Sequence, residues 1–177
     1  GTFKSDWYQR KYTDYYYDIG KNQKHSLKNF NIMSLAIHPS GYYLAMANEE
    51  MIWFFWICFK ELRFYGTEIV KNKNENKDKR NRCHLLKFSY GGHLLIAINK
   101  DNKIFIINSY SREVHKTIKL LANKGIINDF IFSSDDIYMY AISSYGYVYE
   151  INLLKDGNIF KIIEQKNINF LSCFFYY

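Results

Sequence analysis

One proline, nine glycines and three cysteines are spread over 177 residues. The cysteines, Cys58, Cys83 and Cys173, are odd in number and fit no motif spacing. That excludes a disulfide framework and points to a reducing compartment. Long apolar runs are also missing. The longest is Met51 to Phe59, whereas a bilayer-spanning helix needs about 20 apolar residues. No charged start followed by an apolar core marks a secretory leader. Alanine is scarce and helical periodicity is weak, which argues against a helical bundle. What is abundant is aromatic: 17 Tyr and 14 Phe in a chain that is 48% hydrophobic. So much apolar surface excludes compositional disorder, because its burial offsets the ordering entropy. The length suits one domain. The pattern stops in mid-repeat at Tyr177, so a fragment of a longer protein is expected.

The net charge is +7, but its distribution matters more. Residues 1–31 carry six Lys/Arg and three Asp, and Lys71 to Arg82 carries six Lys/Arg with one Glu and one Asp. The remaining residues balance, so the basic excess lies in two polar segments. This is not the basic face of a dedicated nucleic-acid binder. The stretch 71–82, KNKNENKDKRNR, holds no apolar residue. It reads as a solvated loop, or alternatively as a basic tether for an acidic partner.

Short β-branched and aromatic runs recur, split by Gly, Asn, Asp and Ser. They fall at residues 32–37, 43–47, 51–57, 83–88, 94–98, 103–107, 126–132, 138–142 and 147–151. Runs of this length between turn signals predict strands. They also repeat. From the anchors Ile37, Phe88 and Phe132, a turn follows at once: His38-Pro39-Ser40-Gly41, Ser89-Tyr90-Gly91-Gly92 and Ser133-Ser134-Asp135-Asp136. Seven positions on stand Leu44, Leu95 and Met139. Sixteen on stand Trp53, Ile104 and Val148, and nineteen on stand Trp56, Ile107 and Ile151. The anchors are 51 and 44 residues apart, and the longer interval holds the charged loop. Without most of that loop, both spacings approach the roughly 40–45 residues of a four-stranded propeller blade.

The expected architecture is therefore all-β: an incomplete β-propeller of about three blades plus part of a fourth. The blades fall at about residues 32–70, 83–120, 126–164 and 168–177, with the charged loop at 71–82. A more polar outer strand closes each unit, at Glu61–Tyr65, Arg112–Leu120 and Asn158–Ile163. Residues 1–31 form an irregular Tyr-rich segment. Its end, His25 to Phe30, is expected to be the outer strand of a preceding blade.

The anchor-x-Pro-Ser-Gly-x-x-Leu pattern, followed by a strand ending in an aromatic-polar pair, resembles the WD repeat. The namesake Trp-Asp pair stands here as Trp56-Ile57, Ile107-Asn108 and Ile151-Asn152, and no Gly-His pair opens a unit. Asp101 sits where the family's turn aspartate would. More narrowly, residues 32–41, 88–99, 134–136 and 147–153 resemble blades of the cilia- and flagella-associated protein 57 family. These are long axonemal proteins with paired propellers and a following coiled coil. The resemblance spans residues 30–177, and the 71–82 insertion, Ile151 and the aromatic 51–59 strand depart from it. It implies a non-catalytic protein-interaction scaffold of the ciliary axoneme, attaching or regulating inner dynein arms on doublet microtubules. The partners implied are other proteins, not nucleic acid or membrane. The alternative is a scaffold outside cilia, in trafficking or RNA processing.

Catalytic and metal signatures are incomplete throughout. Cys83, His84 and His93 lack the paired spacing of a zinc site. There is no Gly-x-Ser-x-Gly elbow, no phosphate-binding glycine loop and no dinucleotide fingerprint. Asp135 and Asp136 stand in a repeat turn and read as turn formers. No catalytic, cofactor or metal residue is therefore assigned, and no enzyme activity is expected. The cluster Trp53, Phe54, Phe55, Trp56 and Phe59 reads as core, with a partner-binding patch as the alternative.

Overall fold

The computed structural model describes residues 15–18, 21, 23–26, 31–48, 51–58, 62–68, 82–155 and 160–164. The charged loop up to residue 81 and the tail 168–177 lie outside them. Phe59 and the start of the Tyr-rich segment do too.

Strands β1 (Tyr15–Asp18) and β2 (Gln23–Ser26) precede three four-stranded units. The first unit is β3 (Ser34–Ile37), β4 (Tyr43–Ala47), β5 (Ile52–Ile57) and β6 (Leu62–Glu68). The second is β7 (Cys83–Phe88), β8 (Leu94–Asn99), β9 (Lys103–Asn108) and β10 (Val114–Lys119). The third is β11 (Ile127–Phe132), β12 (Tyr138–Ser143), β13 (Tyr147–Asn152) and β14 (Phe160–Glu164). Within each unit the strands pair antiparallel in chain order. These are three blades of an incomplete β-propeller.

The repeat offsets have a geometric meaning. Ile37 pairs with Leu44, Phe88 with Leu95 and Phe132 with Met139 across the first hairpin of each blade. The seven-residue offset is thus the span of one tight hairpin, fixed by turn length. In the second and third blades the next pairing also agrees, Leu95 with Ile107 and Met139 with Ile151. The first blade slips by one residue: Tyr43 faces Trp56 and Leu44 faces Phe55.

The middle blade is apolar on both faces because it is covered on both. Along β8 and β9, Leu95, Ala97, Phe105 and Ile107 join Ala36, Ala45, Ala47 and Phe54 of the first blade. The alternate residues Ile96, Ile98, Ile104 and Ile106 join Phe130, Met139, Tyr149 and Ile151 of the third. Period-two side-chain alternation turns one continuous apolar run into two stacking surfaces. The anchor and the residue two before it always pack toward the preceding blade. Leu86 and Phe88 meet the first blade, and Phe130 and Phe132 meet the second. Their counterparts in the first blade, Leu35 and Ile37, are each 57% exposed.

Gln23–Ser26 pair antiparallel with Tyr15–Asp18, and residues 27–30 of the outer strand expected at His25–Phe30 lie outside the described residues. Tyr16, Tyr17 and Asp18 in turn run parallel to Leu62, Arg63 and Phe64, which extends the first sheet to six strands. The outer strand β6 presents unpaired backbone groups, and an extended segment satisfies them.

Candidate functional site

The polar residues at the blade turns are used to join blades. Gly41, Gly92 and Asp136 occupy the same place in the three first-hairpin turns, and all have positive φ, at 76°, 75° and 56°. Glycine takes this conformation freely, whereas aspartate does so under mild strain. Asp136 is buried, and its two carboxylate oxygens accept the amides of Tyr90 (2.9 Å) and Gly91 (2.7 Å) in the neighbouring turn. His93 Nδ1 stands 3.8 Å away. Asp135 is exposed and closes its own turn through Ser133 Oγ and the Ile137 amide. Those two donors, the hydroxyl first, hold its carboxyl below the usual range. The adjacent aspartates therefore do different work: Asp135 forms the turn, and Asp136 ties the third blade to the second.

The same turns link the first two blades. His38 Nε2 donates to the Gly92 carbonyl (3.0 Å), while its Nδ1 accepts the Ser40 amide (3.1 Å). Ser109 Oγ donates to the same carbonyl. A Cβ at residue 92 would lie 2.2 Å from His38 Nε2, so both the conformation and the contact require glycine. At the opposite ends of the strands, buried Asn102 donates to the Gly125 carbonyl (2.5 Å) and accepts the Ile127 amide (2.9 Å). Asn102 takes a left-handed backbone conformation, φ 57°. Asp101 is exposed, and its own amide bonds Asn99.

On the innermost strands, Lys87 Nζ reaches Asp129 (2.5 Å) and the Phe130 carbonyl (2.6 Å). His84 Nε2 donates to the Ile127 carbonyl (2.8 Å). His84 sits at an irregularity in the β7–β8 ladder, and the third blade repeats that irregularity at Asn128. Cys83 is buried between the first two blades, which pushes its thiol up to about 12. Cys83, His84, His93, Asp135 and Asp136 thus converge on no common centre. Among the described residues no group of three or more His, Cys, Asp or Glu is placed to hold a metal ion.

The aromatic cluster divides. Phe54 packs between blades and Phe55 packs against Met46 on the other face, both fully buried. Trp56 is 40% exposed, a result of the one-residue register slip. Ile107 and Ile151, its counterparts in the repeat, are buried. Trp56 forms part of the wall of a cleft of about 250 Å³ between the first two blades. Tyr43, Phe88 and His38 line the same cleft, with Tyr110 and Arg112 from the β9–β10 loop. Phe88 and Tyr43 each meet the His38 ring edge-on, at 5.1 and 5.2 Å. Asn108 Oδ1 accepts the amides of Tyr110 and Ser111 and so fixes the loop. The Arg112 side chain then lies over Gly66 of β6, where a Cβ would come within 1.8 Å of its guanidinium. This cleft was not found from sequence. Its walls come from five strands or loops spread over residues 38–112, and only the exposed-patch reading of Trp56 pointed toward it.

No protein-family model matches the chain, and no curated protein matches it in sequence. Solved structures do. The chain is similar to U3-55K over 75% of its length, at 14% identity and a TM-score of 0.62. It is likewise similar to the WD40 repeats of RRP9 over 75%, at 15% identity and a TM-score of 0.61. The fold is a WD40-type β-propeller. A third structure, Kuenenia stuttgartiensis hydrazine synthase, is similar over 70% of the chain, at 15% identity and a TM-score of 0.56. The chain spans 39%, 38% and 33% of those three proteins respectively. One of them is an enzyme, so the propeller by itself does not decide between catalysis and binding; the site has to.

Proposed function

We propose that this propeller is a non-catalytic scaffold that binds other proteins. The observation that carries the reading is the use made of the titratable residues of the turns and innermost strands. His38, Asp136, Lys87 and Asp129 each hold one blade to the next. Catalysis needs a nucleophile, base or acid aimed at a place where a reacting atom can sit. These groups are aimed at backbone amides, carbonyls and each other. What the cleft presents instead is Trp, Tyr and Arg, the residue types that anchor protein interfaces.

The finer reading is an axonemal scaffold that attaches or regulates inner dynein arms on doublet microtubules. Its support is the sequence resemblance of residues 30–177 to ciliary WD-repeat blades. A scaffold outside cilia, in trafficking or RNA processing, is favoured no less by the likeness to U3-55K and RRP9. The two separate by affinity capture with the tagged chain from ciliary and cytoplasmic extracts. Retention of dynein-arm and tubulin components from the ciliary extract alone supports the axonemal role. Retention of a defined set of cytoplasmic proteins instead supports the alternative. If neither extract yields a protein that binds the purified chain directly, the scaffold reading fails.

A further inference from the structure

We propose that the cleft between the first and second blades is a docking site for a short peptide in which an apolar side chain is flanked by a carboxylate. The proposal deepens the scaffold reading and rests on it. Three features define the occupant. The first is size. A cleft of about 250 Å³ is below the roughly 300–1,000 Å³ of a small-molecule or cofactor site. It has room for one or two side chains of a peptide.

The second is the wall. Trp56, Tyr43 and Phe88 supply apolar and aromatic surface, and Tyr110, 67% exposed, stands at the mouth. The walls are contributed by β4, β5, the end of β7 and the β9–β10 loop, elements held by the His38–Gly92 and Ser109–Gly92 bonds. The site is therefore pre-formed, which lowers the ordering cost of binding.

The third is charge. None of the lining residues is acidic, and Arg112 is their one permanently charged group. A second arginine, exposed Arg63, is the cross-strand neighbour of Trp56. An aromatic box without arginine would suit a cation such as a methylated lysine. Arginine at the wall and rim repels such a ligand and attracts an anion. A single-stranded nucleic acid also combines stacking with phosphate contacts, but it needs a cationic groove that tracks several phosphates. Arg112 in the wall and Arg63 beside Trp56 make two cationic contacts, too few for such a track. An acidic peptide satisfies all three features.

The test uses the full chain and arrays of 12-residue peptides. Each peptide has Leu, Phe or Trp at its centre and Asp or Glu at one of the four positions to either side. Matched arrays carry Lys in place of the acid or Ala at the centre, and an oligo-uridine 12-mer is included. Acid-flanked apolar peptides are expected to bind at least tenfold better than either matched array. Tyr110→Ala and Arg112→Asn are expected to weaken that binding tenfold or more while both chains keep the parent's β-sheet circular dichroism at the assay temperature. Asparagine is chosen at 112 because it tolerates the left-handed backbone there, φ 64°. Tyr145→Ala, at a 71% exposed site in the β12–β13 turn, is the control expected to change nothing. Equal binding of Lys-flanked peptides overturns the proposal, as does preferred binding of the oligonucleotide or indifference to both variants. The scaffold reading is checked separately. If the two variants retain every captured protein partner as well as the parent chain does, the cleft assignment falls and the scaffold stands.

Discussion

Replacing Asp136 tests whether the blade turns are structural joints. Its carboxylate accepts two neighbouring amides from the adjacent blade, at 2.9 and 2.7 Å. Hydrogen bonds to a charged group contribute about 1.5–3 kcal/mol each. Tyr90 and Gly91 lie in an exposed turn, so water partly replaces the lost acceptor and the lower figure applies. Alanine also inherits a φ of 56° without a side chain able to offset it, which costs about 1 kcal/mol. Asp136→Ala is therefore expected to destabilise the chain by about 3–4 kcal/mol. Asp136→Gly removes the same bonds but accepts the backbone, for about 2–3 kcal/mol. Asp136→Asn keeps one oxygen acceptor and tolerates the conformation, for about 1–2 kcal/mol by the same reasoning. Asp135→Ala loses only a solvated turn and serves as the reference. Denaturant titrations of the four variants give the order, and hydrogen exchange of the Tyr90 and Gly91 amides localises the effect. If Asp136→Ala is no worse than Asp135→Ala, or no worse than Asp136→Gly, the joint does not exist as described.

Three further outcomes are expected. Phe54→Ala empties a fully buried site between blades and costs about 3–5 kcal/mol, whereas Trp56→Ala at a 40% exposed position costs distinctly less; equal losses in denaturant titrations contradict the assigned register. The Cys83 thiol is raised from 9.0 to about 12 in the folded chain, so its contribution is intact below about pH 9 and declines as pH rises toward 12. The slope approaches about 1.4 kcal/mol per pH unit, Cys83→Ala flattens it, and superimposable alkaline unfolding curves count against the burial. Leu35 and Ile37 are each 57% exposed on the first blade, so the parent chain is expected to self-associate in sedimentation and Leu35→Lys with Ile37→Lys to reduce it; identical sedimentation of the two chains counts against this face as a contact surface.

The fold was legible because it is written in local spacing. The seven-residue offset from Ile37, Phe88 and Phe132 is a hairpin, and hairpin register depends on the few residues of its turn. The site was much less legible, because it depends on which blade lies alongside. Asp135 and Asp136 are chemically identical neighbours. Only the second points at amides some 45 residues away in sequence, and no pattern within the repeat distinguishes them. Asn102 carries inter-blade bonds, while Asp101, which the resemblance singles out as the turn aspartate, is exposed one residue earlier. Trp56 keeps the same offset as Ile107 and Ile151, yet a one-residue slip changes its exposure and makes it a cleft wall. The parallel pairing of β1 with β6 joins segments about 46 residues apart, which no alternation in the Tyr-rich stretch announces.

The middle blade shares one stacking surface with the first blade and the other with the third, and this bears on the order in which the stack comes apart. Cohesion between nearest neighbours alone makes such an array melt from its ends. Among the described residues the second blade is held through both of its faces, so its inner strands lose their cover last. The backbone amides of β8 and β9, beneath Leu95, Ile96, Ile98, Ile104 and Ile106, exchange last. The strands shared by both interfaces therefore keep their shape longest under strain.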